Sequence, residues 1–339
     1  MRTEEFDYAL PKGLIAQHPE RERTSSRLLV LTRPGACIEH GHFRDITAYL
    51  RENDLIVVND TKVVAARLAG RKRTGGSVDI LLVEKIDGRR WSCLVRGLKR
   101  GTLDAQVRVG EALLRVTTGA PYWTCEFPED LDAAAVMARY GRVPLPRYIR
   151  RGENDRADGD AERYQTVYAR CVGSIAAPTA GLHFDQDLLD RVEAMGVALA
   201  KVTLHIGVGT FFLIKSEEVE GHEMHGEHYT VTPDCLEAVK RTRERGGRVI
   251  AVGTSAVRTL ETVWPGGYTP LAGCTRLFIY PGYKFRVVDG LITNFHLPRS
   301  TPLVLVSAFA GKEAMETAYR EAIEQGYRFY SYGDAMFIS

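Results

Sequence analysis

Two textures of hydrophobic patterning divide the chain. DLIVVND (54–60) is an unbroken apolar run ending on Asn-Asp, and predicts a buried strand entering a turn. After it come SVDILLVEK, RRWSCLVRG, AQVRV, EALLRVTT and YWTCEF, short β-branched or aromatic runs separated by Gly, Asp-Gly or Pro. Strands at this spacing predict a small antiparallel barrel or sandwich over residues 62–128, with Asp87-Gly88 as a hairpin turn. LDAAAVMARYG (131–141) then reads as one helix with Gly141 at its end, and the charged RRGENDRADGDAER (150–163) as the return from this module.

Beyond residue 164 helical and strand patterns alternate. DQDLLDRVEAMG (185–196) is amphipathic and precedes the apolar VALAKVTLHI; Thr232-Pro233-Asp234 opens a helix running to Arg245. RVIAVG leads into TSAVRTLETV, and KEAMETAYREAIEQG precedes YRFYSYGDAMFI as a last strand or extended segment. LITNFHLPRSTPLVLVSAFAG (291–311) places Asn294, Phe295 and His296 before an apolar block that Ser300 or Thr301 would N-cap, with Pro302 at the first position. The fold class expected is an α/β main domain with a mixed sheet, plus an inserted small antiparallel β-barrel domain. Residues 1–60 and 155–339 are expected to fold together, with 61–154 as the insert.

Composition narrows the class. The 339 residues are 45% hydrophobic and 26% charged, as in ordinary globular proteins, and favour two domains over one. The net charge of +2 is too small to imply nucleic acid by itself, so any such preference must come from local clustering. Cys37, Cys93, Cys125, Cys171, Cys235 and Cys274 never approach C-x-x-C spacing, which argues against a cysteine-built zinc site and suits a reducing compartment. MRTEEFDYAL lacks the basic start and apolar stretch of a signal peptide, and no apolar run approaches the ~20 residues of a spanning helix. A cytoplasmic protein with no membrane association is expected.

The densest titratable cluster is His222-Glu223-Met224-His225-Gly226-Glu227-His228. Its histidines are three apart, whereas the HExxH metal motif needs four on one helical face. On a strand, His222 and His228 would face one way and His225 the other. Three readings stand open: a metal site, disfavoured by that spacing; proton transfer near neutral pH; and a solvated loop. APTAGLHF (177–184) and LHIGVGTF (204–211) each join small residues to a histidine and an aromatic ring. GTSAVR (253–258), between strand and helix, would either offer N–H groups and hydroxyls to a carboxylate or hydroxylated ligand, or hold an ordinary N-cap at Thr254 or Ser255.

The expected insert carries Lys62, Arg67, Arg71, Lys72, Arg73, Lys85, Arg89, Arg90, Arg96, Lys99 and Arg100 against the acids Asp79, Glu84 and Asp87. Such an excess suits RNA phosphates, although a charge run can equally be a solvated face.

These residues resemble the S-adenosylmethionine:tRNA ribosyltransferase-isomerase family of bacterial queuosine synthesis. FDYALPKGLIAQHP, TSSRLLVL, VVNDTKVVAARL, YGRVPLPRYI, ERYQTVYAR, APTAGLHF, TLHIGVGTF, HEMHGE, IYPGYKF, LITNFHLPRST and SYGDAM occur in the family's order over nearly the whole chain. GTSAVR stands where GTTSVR is expected, which puts Ala256 in question as a ligand contact, and Pro302 stands where leucine is usual.

The resemblance implies an enzyme that moves the ribosyl part of S-adenosylmethionine to the aminomethyl nitrogen of 7-aminomethyl-7-deazaguanine at the tRNA wobble position. Adenine and methionine leave, and epoxyqueuosine-tRNA forms. S-adenosylmethionine is consumed as cosubstrate, with no bound cofactor and no metal, and a monomer is expected. Proton transfers at C5′ of the ribosyl group, the leaving adenine and the attacking amine favour imidazoles and a carboxylate in a water-poor site. The implied catalytic residues are His183, His205, His222, His225, Glu227 and His296. The implied substrate-binding residues are Thr179, Gly181, Gly207, Gly209, Thr210, Thr254, Ser255, Arg258 and Asn294. Among these, Asn294 and Thr210 would hold hydroxyls, and Arg258 the methionine carboxylate. Lys62, Arg67, Arg71, Lys72 and Arg73 would contact tRNA. A base-exchanging transglycosylase would want a nucleophilic Asp in a barrel scaffold, and a methyltransferase a glycine turn near its first strand; neither stands out. A non-catalytic RNA-binding module would leave the histidine motifs unused.

Overall fold

The computed structural model describes residues 1–33, 37–99, 101–151, 158–264 and 270–339. They form two compact units. One comprises Met1–Lys62, Pro146–Gly152 and Arg163–Ser339, the other Val63–Leu145 and Glu153–Glu162. The 154/155 boundary expected from composition, and residues 152–157 of the charged return segment, lie outside the described residues, while the end of that segment, Asp158–Arg163, forms a short helix.

The first unit is built on a nine-stranded mixed sheet. Its order is Ala272–Thr275, Glu227–Val231, Ala198–Leu204, Leu55–Asn59, Val249–Val252, Gly290–Asn294, Ala335–Ile338, Arg27–Thr32 and Cys37–His42. The run from Ala198–Leu204 to Gly290–Asn294 is parallel, and antiparallel strands flank it. Leu55–Asn59 and Val249–Val252 are buried throughout, which explains their unbroken apolar runs: both faces of a central parallel strand meet helices. Val57, Ala251 and Leu291 face helices Pro233–Glu244, Thr254–Val263 and Thr301–Ala310; Ile56, Ile250 and Ile292 face helix Gln186–Ala194. Of YRFYSYGDAMFI only Ala335–Ile338 is strand, because Tyr330 adopts a positive φ of 73° and turns the segment before it.

Helix ends follow the sequence signals. Asp185 accepts from Leu188 N–H and Thr232 from Cys235 N–H, each satisfying an orphan donor of the first turn. Ser300, rather than Thr301, caps the helix Thr301–Ala310, so Pro302 is its second residue. No helix among the described residues is long and apolar enough to cross a membrane.

The second unit holds a barrel, not a sandwich. Arg67–Lys72, Ser77–Lys85, Arg90–Arg96, Trp123–Glu126, Ala112–Thr117 and Asp104–Val109 pair in that order, and the last closes on the first through Arg71↔Arg108 and Lys72↔Val107. Leu68, Ile80, Leu82, Cys93, Val107, Leu114, Val116 and Cys125 are buried in it. Gly70 permits the closure, since a Cβ there would lie 2.5 Å from the Val107 side chain. The 86–89 hairpin is fixed by Asp87, whose carboxylate accepts from the N–H groups of Arg89 and Arg90. Those bonds, with the Arg90 guanidinium, hold its pKa down to about 2.

Candidate active site

In open α/β sheets ligands bind beyond the carboxyl ends of the parallel strands. Here Val249–Val252 ends on Gly253-Thr254-Ser255, Gly290–Asn294 runs into Phe295-His296, and Ala198–Leu204 leads to residues 205–210. A cavity of about 410 Å³ opens there, within the size range of ligand pockets. Of the residues singled out from the sequence, it brings together Thr179, Gly209, Thr210, His222, His225, Glu227, Thr254, Ser255, Arg258, Asn294 and His296.

Helix Thr254–Val263 starts from Gly253, at φ 84°, with no side-chain cap, so neither Thr254 nor Ser255 plays the ordinary capping role. Ser255 Oγ instead accepts from Asn59 Nδ2 at 3.0 Å, which ties the helix start to the neighbouring strand. Arg258, one turn into this helix, is buried, as is Glu227. Its Nη1 donates to Glu227 Oε2 and its Nε to Leu277 O at 2.9 Å, while Nη2 has no partner. Glu227 is also held by Gly207 N–H at 2.9 Å. Glu227 thus aligns Arg258 and Gly207, and the free edge of the guanidinium suits a carboxylate.

Asn294 is 2% exposed and ends its strand. Its Nδ2 donates to His183 Nε2 (3.1 Å) and Tyr330 O (3.2 Å), leaving Oδ1 unpartnered. The cavity walls therefore contain one buried residue with an unused donor and one with an unused acceptor. Hydrogen-bonding capacity left unused in a buried position is costly unless a ligand completes it.

His183 and His205 do not line the cavity. His183 is buried between Ser26 Oγ (2.6 Å from Nδ1) and Asn294, and burial pushes its pKa down to about 3. His205 Nδ1 meets Thr61 Oγ1 at 2.8 Å, and burial lowers its pKa too. Gly181 and Gly207 also lie outside the lining. At Gly181 a Cβ would come within 1.9 Å of the Tyr168 hydroxyl, so that glycine serves packing.

Three imidazoles remain in the wall. His222 packs edge-on against Phe278 (5.2 Å), and burial lowers its pKa. His225 is exposed beside Gly209, its ring 6.1 Å from that of Phe212. His296 Nε2 meets Thr293 Oγ1 at 2.7 Å, and burial takes its pKa down to about 3. Its backbone is clamped twice, with N–H donating to Tyr319 OH at 2.9 Å and C=O accepting from Tyr8 OH. Neutral imidazoles can accept protons. His228 lies apart on strand Glu227–Val231, and among the described residues no three His, Cys, Asp or Glu side chains are placed to hold a metal.

Tyr148, Tyr164, Tyr330 and Ser331 also line the cavity without having been singled out. Tyr148 OH meets Ser331 Oγ at 2.6 Å, and its ring lies 4.7 Å from that of Tyr330. Their signal was present in YGRVPLPRYI, ERYQTVYAR and YRFYSYGDAMFI, but an aromatic residue in an apolar context reads first as core.

The residues expected to meet tRNA are placed differently from one another. Arg67 makes a bidentate pair with Asp79 at 2.9 and 2.7 Å, and Lys72 Nζ donates to Gly97 O at 2.9 Å. Arg71, Arg73 and Lys62 are exposed, Lys62 belonging to the first unit; Arg100 lies outside the described residues.

A family model described as queuosine biosynthesis protein matches residues 3–338. Among similar proteins, the S-adenosylmethionine:tRNA ribosyltransferase-isomerase of Pelobacter propionicus is 50% identical, with all of both chains covered. The protein of that name from Anaeromyxobacter sp. is 48% identical, covering 100% of this chain and 99% of its own. The crystal structure of S-adenosylmethionine tRNA ribosyltransferase from Thermotoga maritima aligns with a TM-score of 0.57 at 38% identity, over 99% of this chain and 100% of that one.

Proposed function

The chain belongs to the queuosine biosynthesis protein family, and from that premise we propose that it is an S-adenosylmethionine:tRNA ribosyltransferase-isomerase. It consumes S-adenosylmethionine as a ribosyl donor and acts on tRNA carrying 7-aminomethyl-7-deazaguanine at the wobble position, giving epoxyqueuosine-tRNA with adenine and methionine released. It works in the cytoplasm as a monomer without a resident cofactor.

The observation that carries this reading is the pair of unused groups on one cavity, Arg258 Nη2 and Asn294 Oδ1. S-adenosylmethionine offers a carboxylate to the first and hydroxyl or amino hydrogens to the second. In this reading Arg258, aligned by Glu227, holds the methionine carboxylate, and Asn294 with Thr210 holds ribose hydroxyls. The sulfonium acidifies C5′, and a neutral imidazole of the wall, from His222, His225 or His296, takes that proton. The C5′ carbanion expels the ring oxygen from C4′, and that oxygen's electrons form the C1′ aldehyde as adenine, hydrogen-bonded by a second imidazole, leaves. The neutral acceptor amine then adds at C4′ and loses its proton, C5′ closes on the C1′ carbonyl, and the resulting alkoxide displaces methionine from C5′ to form the epoxide. Burial opposes imidazolium formation at His222 and His296, which keeps both neutral before the reaction while making each a weaker base.

The test is incubation with labelled S-adenosylmethionine and precursor tRNA. Adenine and methionine released in equal amounts support the reading. S-adenosylhomocysteine would mark a methyltransferase instead, and absence of turnover a binding protein.

A further inference from the structure

We infer that Arg71, Arg96 and Arg108 form a phosphate-binding recess on the barrel, one that receives the RNA backbone. The inference rests on the proposed function only for the identity of that RNA as tRNA.

Arg71, Arg96 and Arg108 come from three different strands and line one concavity of about 620 Å³. Arg71 and Arg108 stand directly opposite each other in the register that closes the barrel. Like charges at directly opposed positions destabilise a sheet unless something neutralises them. Arg96 stands opposite Asp79, the one acid of the recess, but both oxygens of Asp79 are taken by Arg67. No carboxylate of the described residues forms an ion pair with Arg71, Arg96 or Arg108.

Elsewhere on the barrel, arginines are neutralised locally. Arg89 pairs with Glu126 and Glu129, Arg90 with Asp87, Arg115 with Asp104 and Arg139 with Glu111. Arg73 and Arg142 lack such partners as well, but they do not line the recess. The unneutralised charge is therefore concentrated where the surface is concave. Gly70, Gly97 and Gly110 line it too, and at Gly97 (φ 90°) a Cβ would come within 2.2 Å of Ser77 O. Arg71, Arg96 and Arg108 line the same concavity, where one small anion would neutralise their charges together. Planar forks of N–H donors match phosphate oxygens. No local run marks this group, because it is assembled by pairing between strands, and the run Arg71-Lys72-Arg73 is not it: Lys72 is turned to Gly97 O.

The experiment uses the full chain and a tRNA transcript, with binding measured across a potassium chloride series. Replacing the three by glutamine (R71Q, R96Q, R108Q) should weaken binding at least tenfold near 0.1 M salt. It should also flatten the dependence of log Kd on log salt by about 2 to 3, since each lost phosphate contact removes about 0.7–0.9. The corresponding triple lysine variant should keep most of the slope. R115Q, which removes a locally paired charge, should leave it within experimental error. Melting curves guard against misfolding, and a wild-type slope in a folded triple glutamine variant overturns the inference. If the wild-type protein binds tRNA through this recess yet releases no adenine from S-adenosylmethionine, the proposed function fails and the recess stands.

Discussion

The amide of Asn294 fixes the tautomer of His183. Asn294 Nδ2 faces the carbonyls of Tyr330 and Asp334, which can only accept, so the group opposite His183 Nε2 must be the NH₂. Nε2 is then an acceptor, and the ring proton sits on Nδ1, donated to Ser26 Oγ. A neutral histidine with both nitrogens engaged holds Asn294 rather than shuttling protons. Asn294→Ala is expected to lower kcat/KM by ~10–100-fold, the worth of one or two hydrogen bonds to substrate. His183→Phe should lower it similarly. If the histidine acts through Asn294, the double variant should be no worse than Asn294→Ala alone, whereas independent roles would multiply.

Stability should depend on pH through the same residue. His183 in the folded state has a pKa of about 3, below the ordinary histidine value of 6.5, so the unfolded chain takes up a proton that the folded chain refuses. Its contribution is complete above about pH 6.5 and is lost progressively as pH falls towards 3, by roughly 1 kcal/mol per pH unit. Urea titrations between pH 7 and 4 should show this decline, and His183→Asn should flatten it. An equal decline in the variant would assign it to other groups.

Glu227 and Arg258 separate stability from binding. Glu227→Gln leaves the buried guanidinium without its counter-charge and is expected to cost about 3–5 kcal/mol in unfolding free energy. Arg258→Lys keeps a cation but forfeits the fork, so its main loss should be affinity for S-adenosylmethionine. Calorimetric binding together with urea unfolding checks both, and a Glu227→Gln protein of normal stability would contradict the ion-pair role.

His296 gives a cleaner test of chemistry. Its loop is held through main-chain atoms by Tyr319 and Tyr8, which a side-chain replacement leaves in place. His296→Asn should therefore melt close to wild type while turnover falls by ~10²–10⁴, the range for a lost acid or base. A normally folded and active variant would return His296 to a packing role.

The fold was legible where physics is local. Leu55–Asn59 announced itself because a strand covered on both faces must be apolar throughout, and Thr232-Pro233-Asp234 because caps and first-turn prolines act within a few residues. Barrel and sandwich share the same alternation, so closure became visible only in the Arg71↔Arg108 pairing. The histidine motifs pointed to the strand ends where the cavity opens, yet His205 turns to Thr61 and His183 to Ser26. Motifs identify strand ends; which way a side chain turns there is decided by partners distant in sequence.

The position of Ala335–Ile338 has a consequence for biogenesis. This strand lies between Gly290–Asn294 and Arg27–Thr32, and beside it Arg27 N–H reaches Asp334 across 307 residues of chain. During synthesis the Arg27–Thr32 ribbon leaves the ribosome long before its parallel neighbour exists. Until then Leu28, Leu29, Val30 and Leu31 present an apolar strand with one open edge, the kind of surface that recruits foreign strands. Non-local pairing of this kind delays folding, so this edge of Arg27–Thr32 stays unpaired until residues 335–338 have been made. Chains released before residue 335 should partition to aggregation or proteolysis rather than to partial function.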